Sequence, residues 1–331
     1  MDLKNGGKRM EIGSYIELDL RSDKEYYVGD NVVRLNSARC GIYHCLRILN
    51  CDTVYLPYYE CFTVRDFLLS KDIKISYYKI SESFEPQINH IENNAAILIV
   101  NYFGVMGRER MKYLVSAYEN VIIDNAQAFY SSPINECLNV YSPRKFFGVP
   151  DGCYVIGEGV SNYLEEYSLD YSSSTAGFLF ERIEVGCNKA YSSRMKNEER
   201  IDRSNIMQMS KLTHALLKNE PYNEIKSKRI NNFKYAHSLY KELNMIDPIV
   251  CYDDSCVPLI YPLVIYDDEI VEKLNQNQIY TGRWWNYLLN ETEKKSFENK
   301  LSSYLIPIPI DQRYGCTELD YVYSTIKKIM K

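Results

Sequence analysis

A chain of 331 residues with 46% hydrophobic and 25% charged side chains is long enough to bury a large core and hold two packed units. Its net charge of −5 comes without a long basic run. No apolar run approaches the ~20 residues of a membrane span, so neither nucleic acid nor a bilayer is an expected partner.

Gly13 to Leu20 alternates apolar and polar residues and predicts a strand. A helix is expected over 37–49, with Ala38, Ile42, Cys45 and Leu49 on one stripe and Asn36 and Ser37 as cap candidates. Val54 to Leu56 reads as a short strand closed by Pro57, and Tyr59 to Leu69 as a helix. Ile73 to Lys79 and Ala95 to Val100 read as strands, the second a continuous apolar run suited to burial on both faces. A helix near 109–119 leads into the strand 121–124. Such alternation predicts an α/β protein with a parallel, doubly wound sheet and helices on both faces.

Residues 155–205 lack a clear period. Ser172 to Gly177 looks like loop and Asn197 to Arg200 like a charged surface run, so a solvated insertion is expected, or a mobile cover over a site. A long helix is expected from Asn223 to Leu243, with Ile230, Phe233, Ala236 and Tyr240 on one side. It opens a smaller α/β unit: strand 258–265, helix 267–276, strand 304–308 and helix 317–330, the last with Thr317 and Asp320 at capping-box spacing. The division is placed between a large domain, 1–220, and a small C-terminal domain, 221–331.

Ten cysteines are scattered without a CxxC pair, and the four histidines stand far apart. No metal site is expected, and the thiols read as those of a cytoplasmic protein. Met1 to Arg9 carries charges with no apolar stretch behind them, so no secretory signal is expected.

The chemistry sits at strand ends, where ligands of such sheets bind. Asp124 closes the apolar run Val121-Ile122-Ile123. Lys145 follows in a loop punctuated by Pro143, Gly148 and Pro150. A carboxylate at one strand end and an amine on a neighbouring loop are what pyridoxal phosphate (PLP) requires. The amine forms a Schiff base, and the carboxylate keeps the pyridine nitrogen protonated so that the ring accepts electrons. Asn36-Ser37-Ala38-Arg39 at a helix start offers N–H groups, a hydroxyl and a guanidinium to a phosphate. Ser142 is a candidate phosphate donor and Cys61 a candidate neighbour of the ring, each more readily a packing residue when judged alone, and Arg144 is a like charge that depresses the Lys145 pKa if the two point into one pocket.

These residues resemble the DegT/DnrJ-type sugar aminotransferases, within the fold type I PLP enzymes. The resemblance covers most of the chain. Asn36-Ser37-Ala38-Arg39 resembles the family's phosphate loop, with Ala38 at the usual glycine. Asp124-Asn125-Ala126-Gln127 is similar to its Asp-x-Ala-Gln, where Gln127 would approach the cofactor ring oxygen. Lys145 with Asp151-Gly152 is similar to its Lys followed by Glu-Gly-Gly. Tyr102-Phe103-Gly104, Leu305 to Ile308 and Ile279 to Trp285 resemble further landmarks. Val140 replaces the family's serine before the lysine, Cys61 falls at the ring-stacking position, and Asn205 falls near an asparagine that reaches the partner subunit's site.

The resemblance implies a three-layer PLP-transferase fold with a mostly parallel central sheet and a smaller C-terminal α/β domain. It implies transfer of an amino group from glutamate to a keto sugar carried on a nucleotide, for surface polysaccharide or related amino-sugar synthesis, in a homodimer. Rival readings are another fold type I PLP enzyme, a lyase or desulfurase, or a non-catalytic cofactor-binding relative.

Overall fold

A computed structural model describes residues 12–20 and 23–331. Its strands are β1 (Val32–Leu35), β2 (Thr53–Pro57), β3 (Lys74–Ile80), β4 (Pro86–Gln87), β5 (Ala95–Val100), β6 (Val121–Asn125), β7 (Leu138–Tyr141), β8 (Cys153–Ile156), β9 (Ile260–Val264) and β10 (Leu305–Pro309). The helices are α1 (Ala38–Leu49), α2 (Phe62–Leu69), α3 (Arg108–Ser116), α4 (Gly177–Arg203), α5 (Lys211–Leu217), α6 (Tyr222–Tyr240), α7 (Ile270–Gln276), α8 (Leu288–Glu291), α9 (Phe297–Tyr304) and α10 (Cys316–Ile329).

Eight strands form one sheet in the order β1-β8-β7-β6-β5-β2-β3-β4. Its centre, from β7 to β3, is parallel, as the expected alternation of strands and helices requires. Every residue of β5 and β6 is buried, which explains their unbroken apolar reading. Antiparallel pairs occur at both margins, β8 with β7 and β1, and β4 with β3. A second sheet pairs β9 with β10 antiparallel, within the segment 221–331. Phe233, Ala236 and Tyr240 of α6 are buried, as their spacing predicts.

Helix α1 lies unusually close to the sheet. A Cβ on Gly41 would stand 2.7 Å from Cys153 Sγ and 3.0 Å from Val140 Cγ1. Only a residue without a side chain lets the helix sit at that depth.

Three expectations fail. Gly13–Leu20 forms no strand: Ile12, Tyr15 and Ile16 are exposed, so the alternation has no core to face. Asn197 to Arg200 is no surface run but part of α4, where Asn197 is wholly buried. That helix breaks at Gly186 (φ 82°) into two pieces, and its large apolar residues Phe180, Ile183, Val185 and Tyr191 are exposed, so no stripe marks it. At α10 the Glu318 carboxylate accepts from Gly315 N–H at 2.8 Å, while Asp320 accepts from Tyr235 instead of closing a capping box with Thr317.

Candidate active site

Strands β2, β5, β6 and β7 run parallel, so their carboxyl ends share one edge. Strand β1 ends there too, being antiparallel to β8, which is antiparallel to β7. Residues 36–39, 58–61, 101–104, 125–127 and 142–145 all leave the sheet at this edge.

Ser37 takes the N-cap position of α1 with an extended backbone, yet its side chain caps nothing. Its Oγ is buried and has no hydrogen-bond partner, a state that costs ~1–3 kcal/mol unless a ligand supplies one. The first N–H groups of α1 face the same way, with the positive end of the helix dipole behind them. Ala38 adds no bulk. Asn36 instead fastens the loop: its amide donates to Ser204 Oγ and Asn205 O at 3.0 Å each. Arg39 is buried and turns away from the helix start, with its guanidinium paired to Asp202 and to the Ile201 carbonyl at the end of α4. Its charge is committed to structure, contrary to the phosphate role expected for it.

Asp124 is in register with Val100 and Val140 on the neighbouring strands. One carboxylate oxygen accepts from Ala126 N–H at 2.7 Å. Burial raises its pKa above the ordinary carboxylate range, and the Lys145 charge and the Ala126 N–H pull it back. Lys145 ends a one-turn 3-10 helix, Pro143–Lys145, and is exposed. Gln127 is buried and accepts from Phe103 N–H at 2.9 Å, which joins the β5 and β6 loops. Val140 packs beneath α1 at Gly41, and Ser142, two residues on along the same face, is buried at the edge.

The sequence reading missed Glu60. It follows β2 and is 5% exposed. Oε1 accepts from Cys61 N–H at 2.6 Å, whereas Oε2 is buried without a partner. Burial, then repulsion from Asp124, pushes its pKa up to about 8, against the Cys61 N–H and the Lys145 charge. The available signal was its place: the same end-of-strand rule that singled out Asp124 also covers the loop after β2. Cys61 is half-buried beside it, its Sγ 3.2 Å from Thr63 Oγ1.

The lysine loop is braced from several sides. Phe147 packs edge-on against Phe129 at 4.8 Å and against Tyr222 at 5.3 Å. The buried Arg229 guanidinium lies 4.5 Å from the Phe146 ring. Arg144 pairs with Glu198 at 2.8 Å, and so points to α4 and not beside Lys145. Asn197 donates to Pro150 O at 2.8 Å, and Asp151 accepts from Ser210 N–H at 2.8 Å. From the C-terminal segment, Trp285 meets Tyr59 edge-on at 4.4 Å, and Tyr287 donates to Glu60 O at 2.5 Å. Asn205 is exposed, and its side chain accepts from Lys71 at 3.1 Å.

No family model matches the sequence, and no curated protein sequence does. Solved structures match over 90% of the chain. The sugar aminotransferase CalS13 from Micromonospora echinospora shares 14% identity, with 87% of its length covered and a TM-score of 0.61. A DegT DnrJ EryC1 StrS aminotransferase from Brucella abortus shares 11%, with 85% covered and a TM-score of 0.59. NtdA from Bacillus subtilis, with bound cofactor PMP, shares 14%, with 73% covered and a TM-score of 0.60. The chain thus adopts the aminotransferase fold of these proteins, the mostly parallel three-layer arrangement that the resemblance implied.

Proposed function

We propose that the chain is a PLP-dependent aminotransferase that moves an amino group from glutamate to a keto sugar carried on a nucleotide. The observation that carries the reading is the convergence of Asp124, Lys145 and the uncapped start of α1 on one sheet edge. The buried, unpartnered Ser37 hydroxyl fits a phosphate there.

Bound at this edge, PLP supplies the electron sink for transamination. Lys145 is the amine to which it attaches. The Lys145 Nζ would also serve as the base and acid for the proton transfer at the donor's α-carbon. The Asp124 carboxylate would hold the proton on the ring nitrogen. Ser37, the N–H groups at Ala38 and Arg39, and Ser142 would take the phosphate, and Gln127 and Cys61 would border the ring.

A homodimer belongs to this reading, with Asn205 reaching toward the second site. Exposed Phe180 and Ile183, one turn apart on α4, offer apolar surface for it. Monomeric mass at micromolar concentration, together with full activity, would remove the dimer.

Reduction of the PLP-loaded protein with borohydride, followed by peptide mapping, tests the assignment. A label on Lys145 is expected. Label on another lysine, or no visible absorbance with added PLP, would overturn it. Glutamate should then convert the bound cofactor in a single turnover, and a panel of nucleotide keto sugars should reverse the conversion.

A further inference from the structure

Glu60 has no part in the scheme above, yet it occupies the same edge. Its Oε1 is committed to the Cys61 N–H, and its backbone carbonyl accepts from Tyr287. Oε2 remains buried and unpartnered within electrostatic reach of Asp124 and Lys145. An ionised oxygen in that position would be a buried charge without a donor, next to a second carboxylate. A hydroxyl there needs only an acceptor.

We propose that Glu60 acts as a neutral carboxylic acid in the cofactor site. Its Oε2–H is a donor to the group seated between Asp124 and Lys145, which leaves Asp124 and Lys145 as the two charges of the site. Glu60 is a positioning residue, and the proposal rests on the PLP reading.

Burial and the neighbouring Asp124 carboxylate both disfavour a charge on Glu60, and its Oε2 meets no donor that would offset them. The other titratable groups that feel Glu60 are Tyr78 on β3, Tyr102 after β5 and Tyr287 before α8. Burial raises the pKa of all three, so they stay neutral and do not screen it.

The folded pKa of Glu60 lies above its unfolded value of 4.5, so stability falls as pH rises from there to about 8. Glu60→Gln keeps the shape and removes the titration. In the cofactor-free protein, the melting temperature of E60Q relative to wild type should therefore climb from pH 5 to pH 8.5, by on the order of 5 °C. Parallel melting curves across this range would overturn the proposal. The Kd for PLP should rise at least fivefold more between pH 7 and pH 9 in wild type than in E60Q. An equal rise in both would overturn the donor role. If neither protein binds PLP while the melting temperatures still diverge, the cofactor reading fails and the donor role with it, but the proton stays on Glu60. Should E60Q not fold, Asp124→Asn supplies the test: without the Asp124 charge, the wild-type loss of stability should move to lower pH, and an unmoved profile would refute the pairing.

Discussion

Glu25 and Glu60 are both closed off from solvent, 7% and 5% exposed, and their carboxyl groups behave oppositely. Glu25 Oε2 accepts from Arg34 at 2.8 Å and Tyr154 at 2.7 Å, and Oε1 meets His214 Nδ1 at 2.6 Å. Burial opposes its charge, but these partners outweigh burial and hold its pKa down at about 2. Glu60 has one N–H, a neighbouring carboxylate and an idle oxygen, and is pushed up to about 8. Exclusion from solvent alone therefore does not set the charge of a buried acid; the donors and charges around it weigh against its desolvation. The satisfied cluster ties the segment before β1 to α5 and β8. The unsatisfied one lies at the sheet edge where PLP is proposed to bind.

The comparison breaks if site residues prove structural or the Glu25 cluster proves functional. Lys145→Ala should have the largest effect: complete loss of the borohydride-fixed cofactor, with a melting temperature close to wild type. A retained label would dissolve the site as drawn. Asp124→Asn should slow single-turnover conversion of the cofactor by glutamate about a hundredfold, because a charge-assisted contact of ~3 kcal/mol is lost. An unchanged rate would remove Asp124 as the ring partner. Smaller again, Glu25→Gln should cost ~1–3 kcal/mol in urea unfolding at pH 7 without altering PLP capture. The pH profile carries the sign. Glu25 stabilises the fold fully above its unfolded pKa of 4.5, and that contribution is lost as pH falls toward 2. Wild type should thus lose stability on acidification faster than E25Q. Parallel acid limbs would contradict the satisfied cluster.

Much of the large sheet was legible because parallel strands buried on both faces write unbroken apolar runs, as β5 and β6 do. Asp124 stood out because it ends such a run. Strands β1 and β8 did not, being four residues each and paired antiparallel at the margin. Helix α4 escaped because its exposed surface mixes apolar residues such as Ile183 with charged ones, and its few buried residues include Asn197, so no apolar stripe marks it. The roles of Arg39 and Arg144 were misread for a related reason. Both arginines look like site charges beside their neighbours in sequence, and each is drawn off by an acid on α4, Asp202 and Glu198. Glu60 was passed over because a lone glutamate between a tyrosine and a cysteine resembles any loop residue until Asp124 stands next to it.

The missing methyl at Gly41 has a reach beyond its own contacts. Residue 41 lies one turn into α1, against Cys153 and Val140, and Val140 is the register partner of Asp124. The depth of the helix in the sheet therefore sets the spacing between Ser37, Asp124 and Lys145, three residues from distant parts of the chain. Position 41 works as the stop on a calliper: it meets no ligand, yet a shim as thin as one carbon would open the jaws and detune every contact made between them.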